Sequence, residues 1–156
     1  MEHRIERRPA FHVLGLEDRF TKATTKDIPA LWGRFVPRMG EVVGCDGDVT
    51  YGVCRATTPN PDAESPFLYA VCVEVPALGT IPPDWVGFTI PANTYAVFTH
   101  HGHISAIGET IEAIWGQALE DAGLTHVQAP DFEVYDERWD AETGMGDVDI
   151  WIPIQP

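Results

Sequence analysis

The feature that most constrains the fold is an amphipathic helix pattern that occurs twice. In the segment 27–39, apolar residues recur at helical spacing and form one stripe: Ile28, Leu31, Trp32, Phe35, Val36 and Met39. The segment 104–122 repeats this pattern, and its AIWGQA resembles the ALWGRF of the first segment. Trp32 and Trp115 occupy matching positions, 83 residues apart. Each helix is therefore expected to cover a sheet contributed by its own half.

Strand patterns surround both helices in the same order. One strand precedes each helix and two follow it, with period-2 patterns at 11–20, 49–57 and 67–75, and at 87–100, 132–140 and 147–154. This order predicts a duplicated β-α-β-β unit. We expect an α+β fold with pseudo-twofold symmetry, in which two helices pack on antiparallel sheets around a central groove. A single domain over 1–156 would hold repeats at about 9–76 and 86–154.

The charge balance limits the partners of the chain. Its 156 residues include 24 acidic and 10 basic side chains, a formal charge of −14. So acidic a surface repels nucleic acid and anionic membranes, and it attracts cations. We predict no direct nucleic-acid binding and no membrane association.

The cysteines and the N-terminus indicate where the chain functions. Cys45, Cys54 and Cys72 form no CxxC pair, and MEHRIERRPAF lacks the apolar stretch of a signal peptide. A reducing, cytoplasmic location with free thiols is expected.

Three histidines invite a metal-site interpretation, which the pattern does not favour. His100 and His101 point to opposite faces of a strand, and Gly102 separates His101 from His103. No helical pair such as HExxH supplies further ligands. The histidines are expected to turn the chain into the second helix, and no metal and no cofactor is predicted.

The segment FEVYDERWD carries the best candidate chemistry. As a strand at 132–140 it would direct Phe132 and Val134 beneath a helix, and Glu133, Tyr135, Glu137 and Trp139 to the other face. The last strand is expected to add Asp149 and Trp151 to the same surface. Carboxylates beside aromatic rings suit flat or cationic organic molecules. The alternative is a solvated outer face whose charges prevent aggregation.

Four segments in this order resemble a known family: IPANTYAVFTHHG, AIWGQALEDAGL, FEVYDERWD and DIWIPI. They resemble the GyrI-like effector-binding domain, the ligand-sensing module of many AraC-type and MerR-type regulators. DIPALWGRF and FLYAVCVEV extend the resemblance to the first half. The resemblance implies a duplicated β-α-β-β fold with an aromatic pocket between the halves and an acidic residue near the penultimate strand.

Carried onto this chain, the resemblance implies a set of ligand-binding residues. The acid would be Glu133 or Glu137, with Tyr135 and Trp151 as the aromatic wall and Trp139 beside them. The E-x-Y step favours Glu133, although Glu137 has the same parity. Trp32 and Trp115 would reach the groove or, more simply, pack in the core.

Three functions follow from these features. The leading hypothesis is a stand-alone small-molecule binding module, expected because the first strand begins almost at residue 1. It would bind or sequester amphipathic, cationic organic compounds such as drugs or effectors. One alternative is a hydrolase of cyclopropanoid natural products, with Glu133 or Glu137 as general base. Another is a gyrase-modulating role through a protein partner. The sequence leaves ligand identity and homodimer formation open.

Overall fold

A computed structural model describes residues 1–42 and 49–156, so Cys45 lies outside the described residues. Within that part of the chain, nine strands form one antiparallel sheet. They are β1 Arg4–Arg8, β2 Phe11–Phe20, β3 Thr50–Ala56, β4 Phe67–Val75, β5 Val86–Ile90, β6 Asn93–His103, β7 Asp131–Tyr135, β8 Trp139–Asp140 and β9 Met145–Ile154.

Two helical segments lie where the apolar stripes predict them. The first is α1, Ile28–Phe35, between the 3-10 helices Lys22–Asp27 and Val36–Glu41. The second begins with the 3-10 turn Ile104–Ala106. It continues through α2 (Ile107–Ala113), the π-helical turn Ile114–Ala118 and α3 (Leu119–Asp121).

The ends of the second helical segment are set by two residues. His103 is its N-cap, because the ring Nδ1 accepts a hydrogen bond from the Ser105 N–H at 3.1 Å. Gly123 ends the segment with a φ of 69°, a conformation that glycine adopts without strain.

The strand order shows the duplication. It runs β1-β6-β9-β7-β3-β4-β2-β5, with β8 added on β9, and reads the same from either end when the halves are exchanged. Tyr51 of β3 pairs with Val134 of β7. These residues are 83 positions apart, as Trp32 and Trp115 are, so the pseudo-twofold axis passes between them. The α+β fold with duplicated β-α-β-β units is confirmed.

One strand of each half crosses to the other half. β1 precedes β2 but pairs with β6, and β5 precedes β6 but pairs with β2. Four of the five residues in RIERR are charged, so the sequence pattern does not predict β1. Charged edge strands of this kind resist pairing with other chains.

The sheet curls strongly. Phe11 of β2 and Phe132 of β7 lie three strands apart, a distance of about 14 Å in a flat sheet. Their ring centroids are nevertheless only 5.5 Å apart. The concave face is therefore filled by its own side chains, among them Tyr51, Tyr95 and Trp151.

Both helices cover the convex face. Leu31 and Phe35 of α1 pack on the strands of the first half, and Ile114 and Leu119 pack on those of the second half. The expectation that Phe132 and Val134 lie beneath a helix is wrong, since both belong to the concave cluster.

We expect Phe132→Ala to reduce the free energy of unfolding by about 3–5 kcal/mol. Phe132 is 1% exposed, and its ring contacts those of four other aromatic residues. Chemical denaturation monitored by circular dichroism would measure the change. Val36→Ala is the control: Val36 is 56% exposed, so the free energy should move by less than about 0.5 kcal/mol. Equal effects from the two variants would contradict the assigned core.

Candidate functional site

The register between β7 and β9 decides which side chains share a face. Phe132 pairs with Trp151, Glu133 with Ile150 and Val134 with Asp149. Directly paired residues lie on the same face of an antiparallel sheet. Glu133 therefore lies on the convex, helix-covered face, whereas Asp149 and Trp151 lie on the concave one. The predicted common surface for these residues is wrong, because Glu133 pairs with Ile150, and Asp149 and Trp151 pair with the residues on either side of Glu133.

Glu133 lies at the centre of the candidate site. Its side chain is buried, and its Oε1 accepts hydrogen bonds from the Tyr69 hydroxyl at 2.9 Å and the Tyr135 hydroxyl at 2.6 Å. Burial raises the pKa of Glu133, and the two hydrogen bonds offset this only in part. No ion pair between described residues includes Glu133. This buried carboxyl group thus has hydrogen-bond donors but no ion-pair partner in the described part of the chain.

Tyr69 and Gly52 belong to the site, although neither was predicted. Gly52 lies opposite Glu133 in the β3–β7 pairing. A Cβ atom at Gly52 would lie 2.7 Å from Cζ of Tyr69 and 2.9 Å from Oε1 of Glu133. Only glycine leaves room there for the hydrogen bond between these side chains. A glycine inside the strand pattern VTYGVCRAT is the signal that indicates such a close approach.

Aromatic rings enclose the tyrosine of the site. Tyr135 packs edge-to-face against Trp32 of α1 at 4.9 Å and against Trp139 of β8 at 5.0 Å between ring centroids. The structure therefore brings together four of the predicted residues: Glu133, Tyr135, Trp32 and Trp139. Burial and the charge of Glu133 raise the pKa of Tyr69 and Tyr135 well above the usual value, so both hydroxyl groups remain donors.

Three predicted residues lie elsewhere. Glu137 is exposed and lies beyond the end of β7 at Tyr135. The alternation of side chains along the strand therefore does not extend to Glu137 and does not place it beside Glu133. Trp151 stacks on Phe132 on the concave face, with ring centroids 5.4 Å apart. Trp115 is 40% exposed and packs against His126 at 4.7 Å.

A second acid lies beside Glu133. Asp131 shares its face of β7 two residues earlier, and it is partly buried opposite Cys54 of β3. Burial and the neighbouring Glu133 raise the pKa of Asp131 to about 7. The same surroundings raise the pKa of the Cys54 thiol well above its usual value. Extending the predicted strand by one residue would have added Asp131 to the site.

Two surface cavities are separate from Glu133. One, of about 650 Å³, lies between the β1–β2 turn and the C-terminus, where Arg7, Pro91 and Pro156 line it. The other, of about 480 Å³, is lined by Leu31 and Arg38 beside α1. Neither cavity includes Glu133, whose side chain is buried beside Tyr69 and Tyr135, and the Tyr135 ring is in turn covered by Trp32 and Trp139. A ligand that reaches it must displace some of those rings.

The three clustered histidines have separate partners. His100 is hydrogen-bonded to the Thr110 hydroxyl at 2.7 Å, and His101 to Asp147 at 2.8 Å. Their strand, β6, continues to His103, so the turn into the helix begins later than predicted. Within 1–42 and 49–156, no three His, Cys, Asp or Glu side chains are arranged to hold a metal ion.

No helix in the described part of the chain is long and apolar enough to span a membrane.

The chain belongs to the family of the GyrI-like small molecule binding domain, whose sequence pattern matches residues 1–155. The transcriptional regulator BrlR of Pseudomonas aeruginosa is 40% identical over 156 residues, which cover 99% of this chain and 56% of BrlR. The chain thus spans about half the length of this relative.

Solved structures share the fold at low sequence identity. The structure of SAV2435 bound to tetraphenylphosphonium has a TM-score of 0.76 at 19% identity, covering 99% of this chain and 94% of SAV2435. The EcmrR C-terminal domain has a TM-score of 0.67 at 14% identity, with 99% and 97% covered. A hydrolase from Listeria innocua has a TM-score of 0.54 at 13% identity, with 99% and 92% covered.

We expect Gly52→Ala to reduce the free energy of unfolding by about 1–3 kcal/mol, because the added methyl group displaces Tyr69 from Glu133. Thermal and chemical denaturation would measure the loss. Gly33→Ala is the matched control, and its free energy of unfolding should not fall. Nothing lies within 4 Å of the added Cβ, and alanine favours the helix more than glycine does. A Gly52→Ala variant as stable as wild type would contradict the close packing of these residues.

Proposed function

We propose that this chain binds amphipathic organic cations, with the Glu133 carboxylate as their counter-charge. The observation that carries the proposal is the environment of Glu133: a buried carboxyl group, two tyrosine hydroxyl donors on one of its oxygens, and no ion pair with a described basic residue. Membership of a small-molecule binding family supports it. SAV2435, a structural relative, binds tetraphenylphosphonium, a large aromatic cation.

The energetics favour a charged ligand over a neutral one. An ionised carboxylate that is buried without a positive partner is costly, and the raised pKa of Glu133 reflects that cost. A cation placed against the carboxylate removes part of the penalty and favours the ionised form. The Tyr69 and Tyr135 hydroxyl groups already donate to the carboxylate, so they would orient it while the ligand binds.

The aromatic residues suit the apolar part of such a ligand. Trp32, Tyr135 and Trp139 lie in one contiguous group, and their ring faces attract positive charge. Because these rings close the site, ligand entry would move Trp32 together with α1. This helix has eight residues and is flanked by 3-10 helices, so few regular hydrogen bonds oppose its displacement. The formal charge of −14 would concentrate cations near the surface.

We expect Glu133→Gln to weaken tetraphenylphosphonium binding at least about tenfold, a loss of about 1.4 kcal/mol. Glutamine keeps the shape of the side chain and removes the charge. Isothermal titration calorimetry would measure the affinity. Glu137→Gln is the matched control, since Glu137 is exposed outside the site, and its affinity should equal that of wild type. The proposal is wrong if both glutamine variants bind like the wild type, or if no organic cation binds at all.

The affinity of the wild type should fall as the pH is lowered through the raised pKa of Glu133, because protonation removes the counter-charge. The same titrations at several pH values would test this. Asp131→Asn removes the neighbouring group whose pKa is about 7, so the remaining pH dependence in that variant belongs to Glu133. In Glu133→Gln combined with Asp131→Asn, the affinity should be independent of pH. A persistent acid-side loss in the double variant would place the titrating group elsewhere.

Hydrolysis at the same residues is the second candidate function. A carboxyl group with a pKa raised by burial can act as general base towards water, and Tyr135 lies beside it at 2.6 Å. Incubation with a cyclopropane-bearing electrophile, followed by mass spectrometry, would detect addition of water. Catalysis should be lost in Glu133→Gln and kept in Glu137→Gln. Full turnover in the Glu133 variant would exclude this mechanism.

A further inference from the structure

A second cation–aromatic arrangement lies on the concave face of the sheet, around Arg8. The Arg8 guanidinium carbon lies 3.8 Å from the centre of the Phe11 ring. It also lies 5.4 Å from the Tyr51 ring, 5.5 Å from the Phe132 ring and 5.4 Å from the Trp151 ring. Four rings from four different strands therefore surround one cation. We call these four rings and Glu74 the Arg8 cage.

Polar contacts complete the Arg8 cage. One guanidinium nitrogen donates to the Tyr51 hydroxyl at 3.0 Å and to the Glu74 carboxylate at 3.2 Å. The Tyr51 hydroxyl in turn donates to Glu74 at 3.3 Å. A guanidinium group thus has an aromatic face to stack on, a hydroxyl acceptor and a carboxylate. These are the groups that recognise a guanidinium-bearing ligand.

The Arg8 cage is separate from the Glu133 site. Tyr51 and Gly52 are consecutive in β3, as Phe132 and Glu133 are in β7, so each pair points to opposite faces of the sheet. Side chains of the cage belong to the concave core cluster, whereas Tyr69 belongs to the cluster beneath α1. A ligand in the cage would not touch Glu133.

The position of Arg8 at the end of an edge strand allows another cation to replace its side chain in the cage. It is the last residue of β1, an edge strand that pairs only with β6 within the described sheet, and Pro9 follows it. Its own side chain is 20% exposed, and that of Glu74 is 47% exposed, so solvent reaches the rim of the cage. Arg8 can therefore leave without unpairing the central strands.

We propose that the Arg8 cage is a second cation-binding site, which Arg8 occupies as an intramolecular ligand and which organic guanidinium compounds occupy when they displace it. The proposal goes beyond the function assigned to Glu133. The ligand would stack its guanidinium plane on Phe11, as Arg8 does, and donate to Tyr51 and Glu74. Binding would release the end of β1 from the concave face.

The test uses Arg8→Ala with N-ethylguanidinium and, as a neutral probe of similar shape, N-ethylurea. By calorimetry, we expect the variant to bind N-ethylguanidinium at least about tenfold more tightly than the wild type does, because no internal cation competes. N-ethylurea should bind neither protein. Arg7→Ala is the matched control, since Arg7 is the exposed neighbour on β1, and it should behave as wild type.

Two results would overturn the proposal: equal affinities of Arg8→Ala and Arg7→Ala for N-ethylguanidinium, or equal binding of the neutral probe. Glu133→Gln combined with Arg8→Ala should keep the gain in affinity for N-ethylguanidinium. This result would separate the present proposal from that for the Glu133 site. If Arg8→Ala does not fold, NMR of the wild type decides. N-ethylguanidinium should then shift the Arg8 Nε–H and Trp151 indole N–H signals, and unchanged signals up to the unfolding concentration would refute the site.

Discussion

The pairing of β3 with β7 is the interaction on which the rest of the structure depends. It joins the two halves into one sheet, and one of its pairs, Tyr51 and Val134, lies on the pseudo-twofold axis. The same register places Gly52 directly beside Glu133. Because Gly52 has no side chain, Tyr69 from the first half reaches a carboxylate from the second half. A shift of one residue would turn Glu133 and Tyr135 together to the other face and would separate Glu133 from Tyr69.

The candidate site arises where the duplicated halves differ. The axis that relates Tyr51 to Val134 also relates Gly52 to Tyr135, and Thr50 to Glu133. The second half therefore contributes the Glu133 carboxylate and the Tyr135 phenol. The equivalent positions of the first half are Thr50, which has a hydroxyl group, and Gly52, which has no side chain. The fold itself is symmetric, but the carboxyl group of Glu133 comes from one half only. A ligand bound at the candidate site would meet the carboxyl groups of Glu133 and Asp131, which both lie on β7.

The sequence predicted the fold well because periodicity reports local structure. Both helices and the repeated strand order follow from patterns within single elements, whereas the choice of Glu133 came from the E-x-Y step of the family resemblance. The predicted faces of β7 are wrong because this sheet is buried on both sides, with Phe132 and Val134 in the concave core. Ile150 packs beneath a helix and Trp151 in the concave core, so alternation does not say which face carries the helices. Tyr69 was missed because its role depends on Gly52, which lies on another strand.

Each face of the sheet holds a carboxylate beside aromatic rings, but the two carboxylates differ in their partners. On the concave face, Glu74 has an internal cation, since Arg8 bridges it to Tyr51. On the convex face, Glu133 accepts hydrogen bonds from two tyrosine hydroxyl groups and has no ion pair with a described residue, and burial raises its pKa. This difference follows from the topology of β1. The strand pairs with β6 of the second half, which places the Arg8 side chain on the concave face and away from Glu133. The topology therefore pairs Glu74 with a cation of the chain and leaves Glu133 without an ion pair among the described residues.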